Sequence, residues 1–160
     1  MTEIAQLDRI DRRILHEVMR DATMPIAQLA EKVGLSQTPC WKRVQKLEAA
    51  GIITGRVAIV DPASIGLGLT VFVEIEATEH TPEWRAAFAK VVADYPAIQE
   101  VHRMAGDVDY LLKVVVSGMS AYDAFYLDLT RRLPCRNVTS KFSMERMKAT
   151  TALPIDTTSP

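Results

Sequence analysis

One run, VGLSQTPCWKRVQKLEAAGII from Val33 to Ile53, narrows the possible folds more than any other part of the chain. Just before it, Ile26, Leu29, Ala30 and Val33 recur at the spacing of one helical face. Gly34 follows at once, where a left-handed residue ends a helix at little steric cost. Ser36 or Thr38 can cap the next helix, and Pro39 falls in its first turn under either choice, where a missing N–H costs little. Cys40, Val44 and Leu47 then share an inward face, and Gly51 closes the element before Ile52 and Ile53 resume an apolar strand. Upstream, Leu7, Ile10, Ile14 and Val18 predict another helix, with Asp8 as N-cap and Asp11 in a capping-box position. Two helices joined by the short turn Val33–Ser36, after a third, make a helix-turn-helix.

In that arrangement the second helix of the pair enters the DNA major groove, and its N-terminal residues meet base edges. Ser36, Gln37 and Thr38 are hydrogen-bonding residues at that place. Lys42, Arg43 and Lys46 lie off the buried stripe and can meet phosphates. Thr54–Val60 reads as a short strand or small wing, with Arg56 able to touch phosphate. Three cations on a helix also suit an ordinary solvated face; the capped spacing favours DNA. Trp41 can pack against the first helix or lie on the DNA backbone, and packing is the preferred reading. With a net charge of −1 and 24% charged residues over 160 positions, bulk charge does not attract nucleic acid, so binding rests on a local patch.

The second half changes period. ASIGLG reads as a hinge. LTVFVEIEAT alternates, with Val71, Val73 and Ile75 on one face and Phe72, Glu74 and Glu76 on the other. A helix follows from Pro82, with Trp84, Phe88, Val91 and Val92 inward. IQEVHRMAG and DYLLKVVVS read as strands joined around Gly106. SAYDAFYLDLTRRLP is a helix capped by Ser120, with Tyr122, Phe125 and Leu129 inward, and VTSKFSMERMK is a last strand. The class is therefore α+β: a winged helix-turn-helix domain over 1–60, a hinge over 61–68, a ferredoxin-like βαββαβ domain over 69–150 and a tail over 151–160. The sheet's second face carries Phe72 and stays uncovered, so self-association through it is expected.

No apolar run is long enough to cross a bilayer and the N-terminus has no hydrophobic leader, which points to the cytoplasm. Cys40 and Cys135 form no metal or disulfide spacing. No metal, cofactor or catalytic residue is implied.

The chain resembles the Lrp/AsnC (feast/famine) family of transcriptional regulators. LDRIDRRIL, VGLSQTPCWKRVQKLEAAGII and MAGDVDYLLKVVV carry the likeness, in family order, with MSAYDAFYLDLTRRLP in support. The resemblance implies a regulator of double-stranded DNA that assembles as dimers and octamers. It also implies a small effector, an amino acid, bound in the second domain between dimers. The TPCWKR and DYLLKV stretches are similar to a cysteine-responsive subgroup. The family's effector loop matches Met104, Ala105, Gly106, Asp107, Asp109 and Tyr110, with Thr139 and Ser140 at the entry to the last strand. The chain departs from the family at Pro134-Cys135, where Pro-Gly is common. The alternative is a sirohaem-decarboxylase-like enzyme on the same scaffold, for which His102 and Arg103 are the adjacent basic pair.

Overall fold

The structure, a computed structural model, describes residues 6–158. The start of the N-terminal stretch read as leaderless lies outside them. The chain divides into two compact units: the chain up to Ala58 together with the segment from Met147 onward, and Ile59–Arg146.

The first unit is built on α1 (Arg9–Val18), α2 (Ile26–Val33) and α3 (Gln37–Ala49). Asp8 caps α1: its carboxylate accepts from the Asp11 N–H at 2.8 Å, while the Asp11 carboxylate accepts from the Asp8 N–H. This reciprocal box satisfies two amides that the helix itself leaves orphaned. Gly34 ends α2 at φ 77°, and the Leu35 N–H reaches back to the Ala30 carbonyl at 2.9 Å. That left-handed step reverses the chain within two residues, so α3 starts at once. Ile14, Leu29, Ala30, Val33, Cys40, Val44 and Leu47 make the core between the three helices.

Three sequence expectations are corrected here. Ile52–Val60 forms no strand, so the wing is absent; Val57 and Ile59 are 84% and 76% exposed. With no partner strand in the unit, its β-branched residues have nothing to pair with. Trp41 does not pack on α1 but stands 52% exposed, because Cys40 and Val44 already fill the inward stripe of α3. Ser36 is the N-cap of α3, yet its side chain makes no capping bond. The tail also has a place. The Thr151 hydroxyl donates to the Met19 carbonyl at 3.3 Å, and Ile155 packs on the first core.

The second unit contains β1 (Leu69–Ala77), α4 (Pro82–Ala93), β2 (Ile98–Arg103), β3 (Tyr110–Val116), α5 (Met119–Arg132) and β4 (Cys135–Phe142). The sheet order is β2-β3-β1-β4, antiparallel throughout. Alternation along β1 sends Val71, Val73 and Ile75 to one face, where Leu112 and Val114 join them beneath Trp84, Phe88, Tyr122, Phe125 and Leu129 of the two helices. The other face bears Phe72 among ion pairs, Lys113 to Glu100 at 2.6 Å and Lys141 to Glu74. Ser120 does not cap α5: the helix begins one residue earlier, after Gly118. Thr139 and Ser140 lie within β4 rather than on a loop, since the strand starts at Cys135 and ends at Phe142.

Candidate nucleic-acid and ligand sites

On α3 the buried stripe leaves a continuous exposed face. Gln37, Thr38, Trp41, Lys42, Gln45, Lys46 and Ala49 all stand in solvent. Their spacing of three and four residues puts Thr38, Lys42, Gln45 and Ala49 in one row along the helix. Lys42 and Lys46 make no ion pair among the described residues. At the head of α3 the amides are not consumed by the Ser36 side chain, so the positive end of the helix remains open to an anion.

The other two sequence-predicted cations are engaged. Arg56 holds Glu48 at 2.7 Å, with both side chains partly exposed. Such a surface pair is worth little and exchanges readily for a phosphate. Arg43 holds two carboxylates with one nitrogen, Asp8 at 2.6 Å and Asp11 at 2.7 Å. The Asp8 carboxyl is held below its usual range, first by the Asp11 amide and also by Arg43. The guanidinium is raised in turn, chiefly by its hydrogen bonds to Asp8 and Asp11. Periodicity gave no sign of this pairing, because the partners are 35 and 32 residues apart.

The second candidate site is the connection between β2 and β3. Gly106 has φ 131°, a conformation that side chains other than glycine's rarely adopt. The Met104 N–H donates to the Asp109 carbonyl at 2.8 Å, and the Asp109 N–H to the Ile75 carbonyl at 3.0 Å. The Asp109 carboxylate accepts from the Ala77 N–H at 2.8 Å, with His80 3.7 Å from its other oxygen. Asp109 is thus fixed at the end of the sheet, its second oxygen facing the exposed His80 ring. Met104, Ala105, Gly106 and Asp107 are exposed. The Tyr110 ring is not on this surface; it is buried, 4.3 Å from Phe88 between ring centroids. Thr139 and Ser140 are not brought to the loop either. They sit on β4, at the far edge beyond β1, and the Ser140 hydroxyl meets the Tyr122 hydroxyl on the helix side. Burial pushes the Cys135 thiol up to about 11, which leaves little thiolate to react near neutral pH.

The AsnC-type helix-turn-helix domain matches residues 7–48, and the Lrp/AsnC ligand binding domain matches residues 70–153. The chain belongs to the Lrp/AsnC family. It is 48% identical to the DNA-binding transcriptional activator DecR of Escherichia coli (strain K12), over 94% of this chain and 99% of that protein. An AsnC family transcriptional regulator from Agrobacterium tumefaciens superposes with a TM-score of 0.89 at 49% identity, covering 92% of this chain and 97% of the other. A transcriptional regulator from Neisseria meningitidis in complex with L-Met does so with the same TM-score at 32% identity, over 93% and 97% of the two chains. The protein is accordingly a DNA-binding transcriptional regulator of the Lrp/AsnC type, with a helix-turn-helix unit followed by a ferredoxin-like ligand-binding unit. Nothing in these comparisons supports the sirohaem enzyme, and His102 pairs with Glu100 across 3.3 Å on the sheet surface. Among the described residues, no helix is long and apolar enough to cross a membrane.

The exposed indole gives a direct test of which face meets DNA. Trp84, the other tryptophan, is only 4% exposed. Acrylamide is expected to quench Trp41 in the free protein and to lose that access when a binding duplex is added, with Trp84 silent throughout. Quenching of the same amplitude with saturating DNA would remove this face from the interface.

Proposed function

We propose that α3 reads duplex DNA through its exposed face and that the β2–β3 connection holds the ammonium group of an amino acid. Ser36, Gln37 and Thr38 face base edges, and Lys42, Lys46 and Arg56 neutralise phosphates. The observation that carries this reading is the pair of lysines without an ion pair among the described residues, Lys42 and Lys46, along the exposed face of α3, whose N-terminus is left open. One such helix covers little DNA, so the protein acts as a dimer or higher assembly with two α3 helices one helical turn of DNA apart. Its place of action is the cytoplasm, with the DNA it regulates.

For the effector, the second Asp109 oxygen, 3.7 Å from the exposed His80 ring, suits an ammonium and the glycine backbone at Gly106 admits close approach of a carboxylate. The L-Met complex of the Neisseria relative supports an amino acid, and the cysteine-responsive likeness makes cysteine the first to try. Thr139 and Ser140 sit on β4, with β1 between them and β3, which suits a pocket completed between copies. The effector acts by favouring one assembly state over another, and that requires unequal affinity for the two.

Fluorescence anisotropy with a duplex selected from a random pool, titrated with cysteine, methionine and leucine, tests both parts. Asp109→Asn separates them, because the amide oxygen still accepts from Ala77 while the charge is gone. We expect unchanged DNA binding and an effector response weakened about tenfold or more, the scale of one charge-assisted hydrogen bond. A full response in this variant would place the effector elsewhere.

A further inference from the structure

We infer that Arg43, though it sits on the DNA-reading helix, is a positioning residue rather than a phosphate contact: it sets the angle of α3 by tying it to the first turn of α1. The inference rests on the DNA-binding reading above and refines it.

Arg43 is placed unlike its neighbours. It follows Cys40 by three residues and precedes Leu47 by four, so it flanks the buried stripe rather than the exposed row. Its guanidinium reaches α1, where one nitrogen bridges Asp8 and Asp11. The Asp11 side chain is only 7% exposed, and Asp11 is the buried charged residue of the described chain. Arg43 is the one cation that meets it among the described residues. A buried carboxylate without its counter-ion is strongly unfavourable. For Arg43 to reach a phosphate, Asp11 must be stranded and the DNA anion must approach two carboxylates. Both effects oppose the contact. Lys42 and Lys46 carry neither burden. Asp11 also closes the capping box, so the start of α1 and the tilt of α3 are joined through one cluster.

A phosphate contact and a positioning contact leave different marks. Losing a phosphate contact flattens the salt dependence and weakens all sequences alike. Losing a positioning contact tilts the bases' reader, so discrimination falls while the phosphate count stands. The test uses the full-length protein, a duplex selected from a random pool by the wild type, and a scrambled duplex of the same length. Binding is measured from 50 to 300 mM salt, at a temperature where thermal unfolding shows each variant folded.

Lys46→Gln is expected to flatten the log–log salt slope by about 2 per dimer, two contacts at ~0.9 each. Arg43→Gln is expected to keep the wild-type slope and to lose about tenfold or more in the selected-to-scrambled ratio, the scale of one displaced base contact. Asp11→Asn is expected to do the same, and the double variant to be no worse than either single one, since both act through one cluster. Arg43→Lys, which keeps the charge but not the two-carboxylate bridge, is expected to recover only part of the ratio. This variant decides the matter if Arg43→Gln does not fold. Flattening in Arg43→Gln equal to that of Lys46→Gln would overturn the inference. So would tighter binding with a steeper slope in Asp11→Asn, as an arginine released to the phosphates would give. Wild-type binding with neither salt dependence nor sequence preference would instead defeat the DNA-binding reading of α3 itself.

Discussion

Replacing Lys42 and Lys46 together by glutamine is expected to weaken DNA binding by about a thousandfold or more at 0.1 M salt. Each phosphate that a protein neutralises contributes ~0.9 to the log–log salt slope of B-DNA binding. Lys42, Lys46 and Arg56 give about six contacts per dimer and a slope of about −5. The double variant keeps about two contacts, and the slope should fall to about −2. Four lost contacts over one decade of salt below 1 M amount to about 3.6 log units at 0.1 M. Neither lysine touches the core or an ion pair among the described residues, so the melting temperature should stay within about 1–2 °C of wild type, as for surface substitutions generally. Anisotropy titrations at four salt concentrations read all of this. An unchanged slope would remove both lysines from the interface.

The second large effect lies in the ligand-binding unit. Trp84→Ala is expected to cost about 3–5 kcal/mol, the range for truncating a buried aromatic. The indole stacks on Phe88 with ring centroids 5.4 Å apart and on Tyr110 at 5.6 Å. Its N–H donates to the Pro134 carbonyl at 2.8 Å, joining the start of α4 to the turn before β4. Thr78 also reaches that carbonyl, at 3.3 Å, so the oxygen is not orphaned when the indole goes. The loss is therefore mainly cavity and stacking. Trp84→Phe keeps much of the stack and should cost about 1–2 kcal/mol, the lost hydrogen bond plus a smaller void. Against a total of about 5–15 kcal/mol for a domain, the alanine variant should leave this unit partly unfolded at 37 °C. Urea unfolding followed by far-UV circular dichroism measures both. A cost below about 1 kcal/mol for alanine would show that the site collapses around the gap. Tyr110 follows Asp109 directly, so the alanine variant should also blunt the effector response.

What the sequence made legible was local. The Asp8–Asp11 box, the left-handed Gly34 and the alternation of β1 each depend on residues within a few positions of one another, and each stands where the spacing put it. The βαββαβ order followed from changes of period. What stayed hidden depended on distant partners. Whether Thr54–Val60 becomes a strand depends on having a neighbour to pair with, and none is supplied by the unit. The exposure of Trp41 depends on how little room α1 leaves beside Cys40 and Val44. The division of labour among Lys42, Arg43 and Lys46 is the sharpest case. Helical spacing puts Arg43 beside the buried stripe and the lysines away from it, but only the return of α1 beside α3 supplies the two carboxylates that hold the arginine. In the β2–β3 connection, Gly106 and Asp109 were readable as turn residues, and the alternation of Tyr110 with Leu112 and Val114 sends the Tyr110 ring inward, away from the exposed loop.

The passage of residues 147–158 back to the first core bears on how the protein is made. Eighty-eight residues, 59–146, separate the two parts of the first unit. A ribosome adding ~5–20 residues each second needs roughly 4–18 s to make them. During that interval the helices of the first unit exist without Ile155 against their core and without the Thr151 bond to Met19. The second unit has all its strands in hand before the last segment emerges, so it can finish first. A nascent chain of this protein thus carries its DNA-reading helices for several seconds before the segment that completes their core is made.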